Sequence, residues 1–278
     1  MIDRDLTDVF IHTANPAWLL AHGLFVTEGR HCTRRLLVSG RFKVVALLLT
    51  PTAEAALADV IGPIPPAERP PIIVKSQADL DALTKFRLHQ GCVAYAERVS
   101  PSAWQPEHTL GGLSVLLERV RDPDNVGSIA RSASAMGVQA LLMGPECADP
   151  FYRKAVRTSM GAVLTQTIVD ASPWPGVLDA LKASGHTLIA TTPDPAAIDI
   201  GELHVASDFI VSSESPGFSP AQRSLILMVG SEGEGLSPDA LKAADIHARI
   251  PMTTMVDSLN VGVATAVAVY ALTRGSDA

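Results

Sequence analysis

Three short stretches of the sequence hold polar side chains whose types and spacing could do chemistry. One is the glycine-rich run 230–235, which directly follows an apolar run, and the others are residues 122–133 and 257–260. Glycines let a backbone approach a ligand closely, with N–H and carbonyl groups pointing toward it. The polar residues that could act beside such a loop are Asn125, Arg131, Glu232, Ser258 and Asn260. A ligand-binding loop is one interpretation, and a tight turn without a ligand is the other, because short glycine patterns are common.

Several of these side chains also have a purely structural interpretation. Ser258 or Asn260 could cap the helix that the apolar run 261–272 predicts. Asp124 or Asn125 could likewise cap a helix over the small residues that follow. Arg131 stands inside that helix, where we expect it to be at least half-buried. A buried charge needs a partner, so a structural ion pair is the alternative to a functional role.

The elements that must position these residues alternate between strands and helices. The apolar run Leu225–Val229 predicts a strand, and Ser237 followed by Pro238 predicts a helix start. Further strands are predicted over 113–117, 139–143, 165–169, 187–191 and 246–250, and helices over 149–159 and 177–183. This alternation indicates a parallel, layered α/β sheet. Such sheets bind ligands at the carboxyl ends of their strands, where Thr191, Gly230 and Ile250 lie, so we expect these residues to line a pocket.

A smaller α/β sandwich is predicted before this sheet. Its domain covers residues 1–104, a linker follows at 105–112, and the larger domain covers 113–278. Within the first domain, the predicted helix Arg30–Ser39 carries Arg30, Arg34 and Arg35. This basic cluster is either a patch that contacts phosphates or a solvated helix face.

The length and composition of the chain limit the classes of protein to which it can belong. At 278 residues with 47% apolar residues, the chain can form two real cores. The net charge of −7, with the acidic excess in residues 111–278, argues against a generally basic nucleic-acid binder. The longest apolar run, 261–272, is shorter than the roughly 20 residues of a bilayer span. The first residues carry no export signal, and three widely spaced cysteines lack C-x-x-C spacing, which predicts a cytoplasmic protein without disulfides or zinc.

A nucleotide-binding oxidoreductase is a rival interpretation of strand, glycine turn and helix. The glycine spacing 230, 233, 235 differs from G-x-G-x-x-G, and Glu232 would repel a pyrophosphate. A P-loop is also excluded, because no G-K-S or G-K-T follows a glycine turn.

Taken together, three segments resemble the motifs of one family. They are residues 122–131, residues 229–237, and residues 250–252 with 258–261. The sequence resembles the SpoU/TrmH group of the SPOUT methyltransferases, which act on the ribose 2′-hydroxyl of tRNA or rRNA. The resemblance is close over residues 113–274. Residues 20–98 are similar, more loosely, to the ribosomal-protein-like RNA substrate-binding domain that often precedes the catalytic domain.

The resemblance implies a deep trefoil knot in the C-terminal domain, S-adenosylmethionine as methyl donor, and a homodimer that completes each site. By motif position, Gly230, Ile250 and Leu259 would line the donor through backbone groups. The catalytic residues would be Asn125, Arg131, Glu232, Ser258 and Asn260, and RNA would contact Arg30, Arg34 and Arg35. Neither a metal nor a membrane is implied. The sequence departs from the family at 252–256, where the loop is usually richer in glycine.

The role of Arg131 can be argued from its chemistry. As a general base, a guanidinium with a pKa near 12.5 would first have to lose a proton at a cost of about 7 kcal/mol at pH 7. We therefore favour Arg131 as a fixed positive charge that stabilises the developing alkoxide, with the proton leaving through Ser258, a phosphate or water. An RNA-binding protein that kept this fold but lost the activity is the non-enzymatic alternative.

Overall fold

The computed structural model describes residues 6–85, 87–107, 110–203, 205–206, 209–210, 224–253 and 258–274. The helices are α1 (Leu6–Ile11), α2 (Pro16–Ala21), α3 (Arg30–Ser39), α4 (Pro51–Ile61), α5 (Gln77–Thr84), α6 (Pro123–Ala135), α7 (Arg153–Thr158), α8 (Gly176–Ala183), α9 (Pro238–Ala243) and α10 (Val261–Thr273). The strands are β1 (Leu24–Glu28), β2 (Val44–Leu49), β3 (Ile72–Val74), β4 (Cys92–Glu97), β5 (Gly112–Leu117), β6 (Ala140–Met143), β7 (Thr167–Asp170), β8 (His186–Thr191), β9 (Ile198–Asp199), β10 (Val205–Ala206), β11 (Phe209–Ile210), β12 (Ser224–Val229) and β13 (Ile246–Arg249).

The first compact unit consists of residues 1–100 together with residues 149–165. Its sheet has the order β1-β4-β2-β3, in which β4 runs antiparallel to both neighbours and β3 runs parallel to β2. Apolar side chains from the sheet and from α1, α2 and α5 form its core, with Leu48, Val93 and Tyr95 fully buried. Helices and a mixed sheet thus occur together in this unit, and its assignment as a ribosomal-protein-like sandwich domain stays a prediction.

Helix α7 lies in this first unit, and it begins later than the sequence predicts. The prediction covered 149–159, whereas the helix starts at Arg153. The carboxylate of Asp149 accepts the N–H of Phe151 at 2.8 Å and forms an ion pair with Arg98, which holds a non-helical turn. Arg153 then pairs with the buried Glu28 of β1 at 3.2 Å. These contacts tie residues 149–165 to the first unit, and the domain boundaries remain a prediction.

The second unit, residues 101–148 and 166–278, contains the larger sheet. Its strand order is β7-β6-β5-β12-β8-β13-β9, and every neighbouring pair is parallel. Strand β12 lies at the centre and is buried at every position, which explains its unbroken apolar run. The predicted parallel α/β sheet is thus confirmed. Trp104, before the predicted linker, is buried in the core of this unit.

Helix α6 begins at Pro123, and its N-cap lies two residues before Asp124, the first of the two predicted caps. Asp122 is the N-cap and accepts the N–H of Asp124 at 3.0 Å, with Pro123 at the first helical position. The prediction that Asp124 or Asn125 caps this helix is therefore wrong. Because Asn125 lies in the first turn, its side chain can reach other loops.

Candidate active site

A cavity of about 400 Å³ lies at the carboxyl edge of the larger sheet. It is bounded by the segments that follow β8, β12 and β13 and by the start of α10. The predicted site residues in its wall are Thr191, Gly230, Glu232, Ile250, Ser258 and Leu259. The cavity wall thus brings together residues from two of the three motifs, with Thr191 from a further strand end. Of the unusual loop 252–256, Met252 lies in this wall, and residues 254–256 are outside the described residues.

The glycine-rich loop 230–235 folds back on itself. A Cβ atom added at Gly230 would lie 2.1 Å from the carbonyl carbon of Gly235, so only glycine fits there. Gly235 has φ of +66°, which glycine adopts without the strain that a Cβ atom imposes. The N–H of Gly235 donates to the Ser231 carbonyl at 3.0 Å and closes the turn. The loop is therefore tightly turned and also forms part of the cavity wall.

Three polar side chains from distant parts of the sequence form one hydrogen-bond network beside this loop. Asn260 Nδ2 donates to Asn125 Oδ1 at 2.9 Å and to Glu232 Oε1 at 2.5 Å. Asn125 Nδ2 also donates to Glu232 Oε1, at 3.2 Å. A carboxylate oxygen that accepts two amide donors fixes the orientation of both amides. The network therefore holds the N-terminal ends of α6 and α10 against the glycine-rich loop.

Asn260 has the capping role that the sequence offered as one alternative, and the structure is compatible with the other, a role in the site. Its Oδ1 accepts the N–H groups of Gly262 and Val263 at 3.0 and 3.2 Å and so caps α10. Its Nδ2 remains for the network with Asn125 and Glu232. The capping alternative and the site interpretation are thus compatible for this residue.

Arg131 is placed differently from the other predicted catalytic residues. It lies on the exposed side of α6, whereas Val126, Ile129, Ala130 and Ala133 form the buried side. The expectation that it is at least half-buried is therefore wrong. It forms no ion pair with any residue that the structure describes, and it is absent from the cavity wall. Within a single chain the structure brings Asn125, Glu232, Ser258 and Asn260 to the site, but not Arg131.

Two residues at the end of β5 were missed by the sequence analysis. Glu118 is almost fully buried, and its Oε2 accepts the N–H of Ser237 at 2.8 Å. The next residue, Arg119, contacts the glycine-rich loop. The available signal was their position directly after an apolar run, since β5 ends at the same sheet edge as β12.

The Thr191 hydroxyl donates to the Met228 carbonyl at 2.9 Å, so it joins β8 to β12 above the cavity. Any contact between Thr191 and a ligand would therefore rely mainly on its backbone.

Cys32 and Cys92 are buried and Cys147 is partly buried. Burial raises the pKa of Cys32 and Cys147 to about 11 and that of Cys92 to about 12, which keeps these thiols protonated at neutral pH. In the described part of the chain, no group of three or more His, Cys, Asp or Glu residues is arranged to hold a metal ion. None of the described helices has the length and apolar character needed to cross a bilayer.

The basic cluster on α3 is not uniform. Arg34 forms a double hydrogen bond with Asp59 at 2.6 and 2.8 Å and also donates to the Ala56 carbonyl, so its charge is matched within the chain. The hydrogen bond from Arg34 lowers the pKa of Asp59. Arg35 is exposed and Arg30 is partly so. Arg34 is therefore the least suited of the three to contact a phosphate.

The chain has an open parallel sheet with a ligand-sized cavity at its carboxyl edge. These features are typical of α/β proteins that bind small ligands at the ends of their strands. The chain belongs to the SpoU rRNA methylase family, whose model matches residues 112–270. This confirms the resemblance seen in the three motifs. Members of the family use S-adenosylmethionine as methyl donor.

A relative of high coverage agrees with this assignment, and a solved structure shares the fold. The chain is 38% identical over 273 residues to an uncharacterised tRNA/rRNA methyltransferase from Mycobacterium bovis, covering 98% of this chain and 87% of the relative. It is 31% identical over 158 residues to a 23S rRNA guanosine 2′-O-methyltransferase from Bacillus subtilis, covering 57% of this chain and 56% of that protein. The SpoU methyltransferase AviRb from Streptomyces viridochromogenes, solved with AdoMet, shares the fold with a TM-score of 0.76 at 24% identity, over 98% of each chain.

Proposed function

We propose that this protein transfers a methyl group from S-adenosylmethionine to a ribose 2′-hydroxyl of tRNA or rRNA. The observation that carries the proposal is the network of Asn125, Glu232 and Asn260 beside the glycine-rich loop. Each of the three comes from a different motif of the family. The 2′-O-methyltransferase relative from Bacillus subtilis supports the ribose as the acceptor.

The cavity fits the methyl donor. Its volume of about 400 Å³ falls within the range of small-molecule pockets, roughly 300–1,000 Å³. Val229, Ile250 and Leu259 supply apolar surface, and the glycine-rich loop supplies backbone groups. Glu232 and Glu234 also belong to the cavity wall, and Arg119 balances the charge of Glu234, so the charge of Glu232 is the one that suits a cationic sulfonium and disfavours a pyrophosphate. When bound, the donor supplies a methyl group that is activated by its positively charged sulfur.

The chain's own residues would orient the acceptor and balance its charge. Asn125 and Asn260 can donate and accept hydrogen bonds, so they can hold a ribose while Glu232 fixes their orientation. Arg131 would stabilise the developing alkoxide as a fixed positive charge. Because Arg131 is exposed and lies outside the cavity wall of its own chain, we propose that it acts in the site of a partner protomer.

A homodimer of this kind has structural support on α10. Val263, Val267 and Tyr270 recur at helical spacing and are 51%, 40% and 55% exposed. The opposite side of α10 packs on α6, the helix that carries Arg131. An exposed apolar stripe is typical of a surface that a second protomer covers.

The first unit would bind the RNA, as the ribosomal-protein-like resemblance suggests. Its exposed Arg35 and partly exposed Arg30 would contact phosphates, and Arg34 would contribute less because Asp59 already pairs with it. The trefoil knot and a cytoplasmic location are part of the same proposal.

The test combines donor binding with product mapping. Calorimetry with S-adenosylmethionine and with NAD(P) should show binding of the former only. Incubation with total RNA and labelled donor, followed by mapping, should then place a 2′-O-methyl group on one tRNA or rRNA position. Preferential NAD(P) binding, or donor binding without methylated RNA under single-turnover conditions, would contradict the proposal.

Substitution of Arg131 tests its role in that reaction. Arg131→Lys should lower the single-turnover rate by roughly tenfold or more, because lysine supplies charge but lacks the planar, fixed pair of donors of a guanidinium. Donor affinity should stay unchanged. A variant with most of the native rate would show that the guanidinium geometry is not required.

A further inference from the structure

Arg119 adopts a backbone conformation that is unfavourable for its residue type. Its φ is +57°, in the left-handed region where a Cβ atom meets the neighbouring carbonyl oxygen. Such strain persists where the surrounding structure compensates for it, and it is concentrated at functional positions. The side chain of Arg119 is only 20% exposed, so the compensation has to come from its contacts.

Those contacts go to the glycine-rich loop. Arg119 Nη1 donates to Glu234 Oε2 at 2.9 Å, and Nη2 donates to the Gly235 carbonyl at 3.2 Å. Both acceptors belong to residues that line the cavity, whereas Arg119 itself does not line it. One planar guanidinium therefore binds a side chain and a backbone group of the same turn.

The preceding residue holds the other side of the same loop. Glu118 Oε2 accepts the N–H of Ser237, the N-cap of α9, at 2.8 Å. Glu118 Oε1 lies 3.9 Å from Arg119 Nε, which is buried. The main chain of Glu118 also donates to the Val229 carbonyl at 2.9 Å, at the end of β12. Two consecutive residues thus contact the segments before, within and after the glycine-rich loop.

We infer that Arg119 is a positioning residue for the methyl donor: it holds Glu234 and Gly235 in the shape that the donor requires. This inference rests on the proposed function, because it assigns the donor to this cavity. A loop with three glycines is flexible when nothing fixes it, and ordering it on binding would weaken affinity. Arg119 orders the loop in advance.

The chain offers a matched control two residues further on. Arg121 is 55% exposed and pairs with Glu146 at 2.5 Å, and neither residue forms a hydrogen bond with the described glycine-rich loop, although the charges of Arg121 and Glu234 interact through solvent. Arg121→Gln therefore removes a nearby guanidinium and its ion pair while leaving the loop contacts intact.

The test is to replace Arg119 with glycine and compare donor binding, kinetics and stability. Glycine removes the loop contacts and at the same time relieves the backbone strain, so the melting temperature should stay within a few degrees of the native value. We expect the Kd and KM for S-adenosylmethionine to rise about tenfold, with the KM for RNA unchanged. Arg119→Lys should restore part of the affinity, because an ammonium can still pair with Glu234. Arg121→Gln, which removes only a solvent-screened charge near Glu234, should change these constants much less than Arg119→Gly does.

Two outcomes would overturn the inference. Native donor affinity in Arg119→Gly is the first, and a parallel rise in the KM values for donor and RNA is the second, because it indicates general damage. If Arg119→Gly fails to fold, Arg119→Asn replaces it, since asparagine tolerates the left-handed region and lacks the guanidinium. Failure of the native protein to bind S-adenosylmethionine would instead reject the proposed function.

Discussion

Glu232 is the point at which the polar network meets the glycine-rich loop. Its Oε1 accepts hydrogen bonds from two asparagine amides that are supplied by α6 and by the start of α10. A charged acceptor makes such bonds roughly twice as strong as a neutral one. The carboxylate thus both fixes the amides and places negative charge beside the cavity.

Glu232→Gln separates these two effects. The glutamine carbonyl can still accept from both amides, but the charge is lost, so we expect the free energy of unfolding to fall by about 1 kcal/mol. The single-turnover methylation rate should fall by roughly tenfold or more. Urea unfolding and single-turnover assays measure the two quantities, and Glu202→Gln, at an exposed position, is the control. An unchanged rate would show that the charge of Glu232 has no catalytic part.

At this scale the sequence predicted the identity of the site residues better than their surroundings. The sequence offered Asn260 as a cap or as a site residue, and the structure shows a cap whose amide nitrogen also joins the polar network, because an amide has separate donor and acceptor ends. Arg131 was expected to be buried, since small residues surround it in the sequence. Which side of α6 faces outward depends on the packing of α10, and a local pattern of small residues does not show that.

Among the elements, the glycine-rich loop illustrates how backbone shape creates a site. The loop reverses direction within six residues, and Gly230 packs directly against Gly235 and Leu236. The shape therefore depends on particular glycines rather than on glycine content.

Gly230→Ala and Gly233→Ala form a matched pair in this loop. A Cβ atom at Gly230 would meet backbone atoms at 2.1–2.3 Å, whereas one at Gly233 would meet nothing within 4 Å. Gly230→Ala should therefore cost about 1–3 kcal/mol of unfolding free energy and abolish measurable donor binding. Gly233→Ala should keep native stability, and donor binding should remain measurable. Thermal unfolding measures the stability of each variant, and calorimetry measures its affinity for the donor. Equal stabilities of the two variants would contradict the close packing at Gly230.

Element prediction succeeded where hydrophobic runs are strong and failed where side chains decide the boundary. Strand β12 was predicted over Leu225–Val229 and is observed over Ser224–Val229. The starts of α6 and α7 were predicted less well, because Asp122 and Asp149 hold turns through contacts that a short sequence window does not define. The strained Arg119 gave no sequence signal beyond its position after β5.

At the scale of the whole molecule, the site depends on contacts between residues far apart in sequence. Asn125 lies 135 positions from Asn260, and their side chains are 2.9 Å apart. Three family motifs allowed this convergence to be predicted, whereas periodicity and composition did not. Periodicity and composition also did not predict that α7 contacts β1, which it does through Arg153 and Glu28, 125 positions apart.

A dimer in which each site combines two protomers makes a quantitative prediction. Arg131→Ala and Glu232→Ala should each be inactive as pure proteins. If Arg131 serves the partner's site, a mixed dimer contains one site in which both residues are native. Random exchange of an equal mixture in a two-fold dimer then restores about a quarter of native activity. If Arg131 instead serves its own chain, every site in the mixture carries one of the two substitutions, and activity stays absent. Methylation assays before and after protomer exchange, with size-exclusion chromatography to confirm the dimer, distinguish the two arrangements.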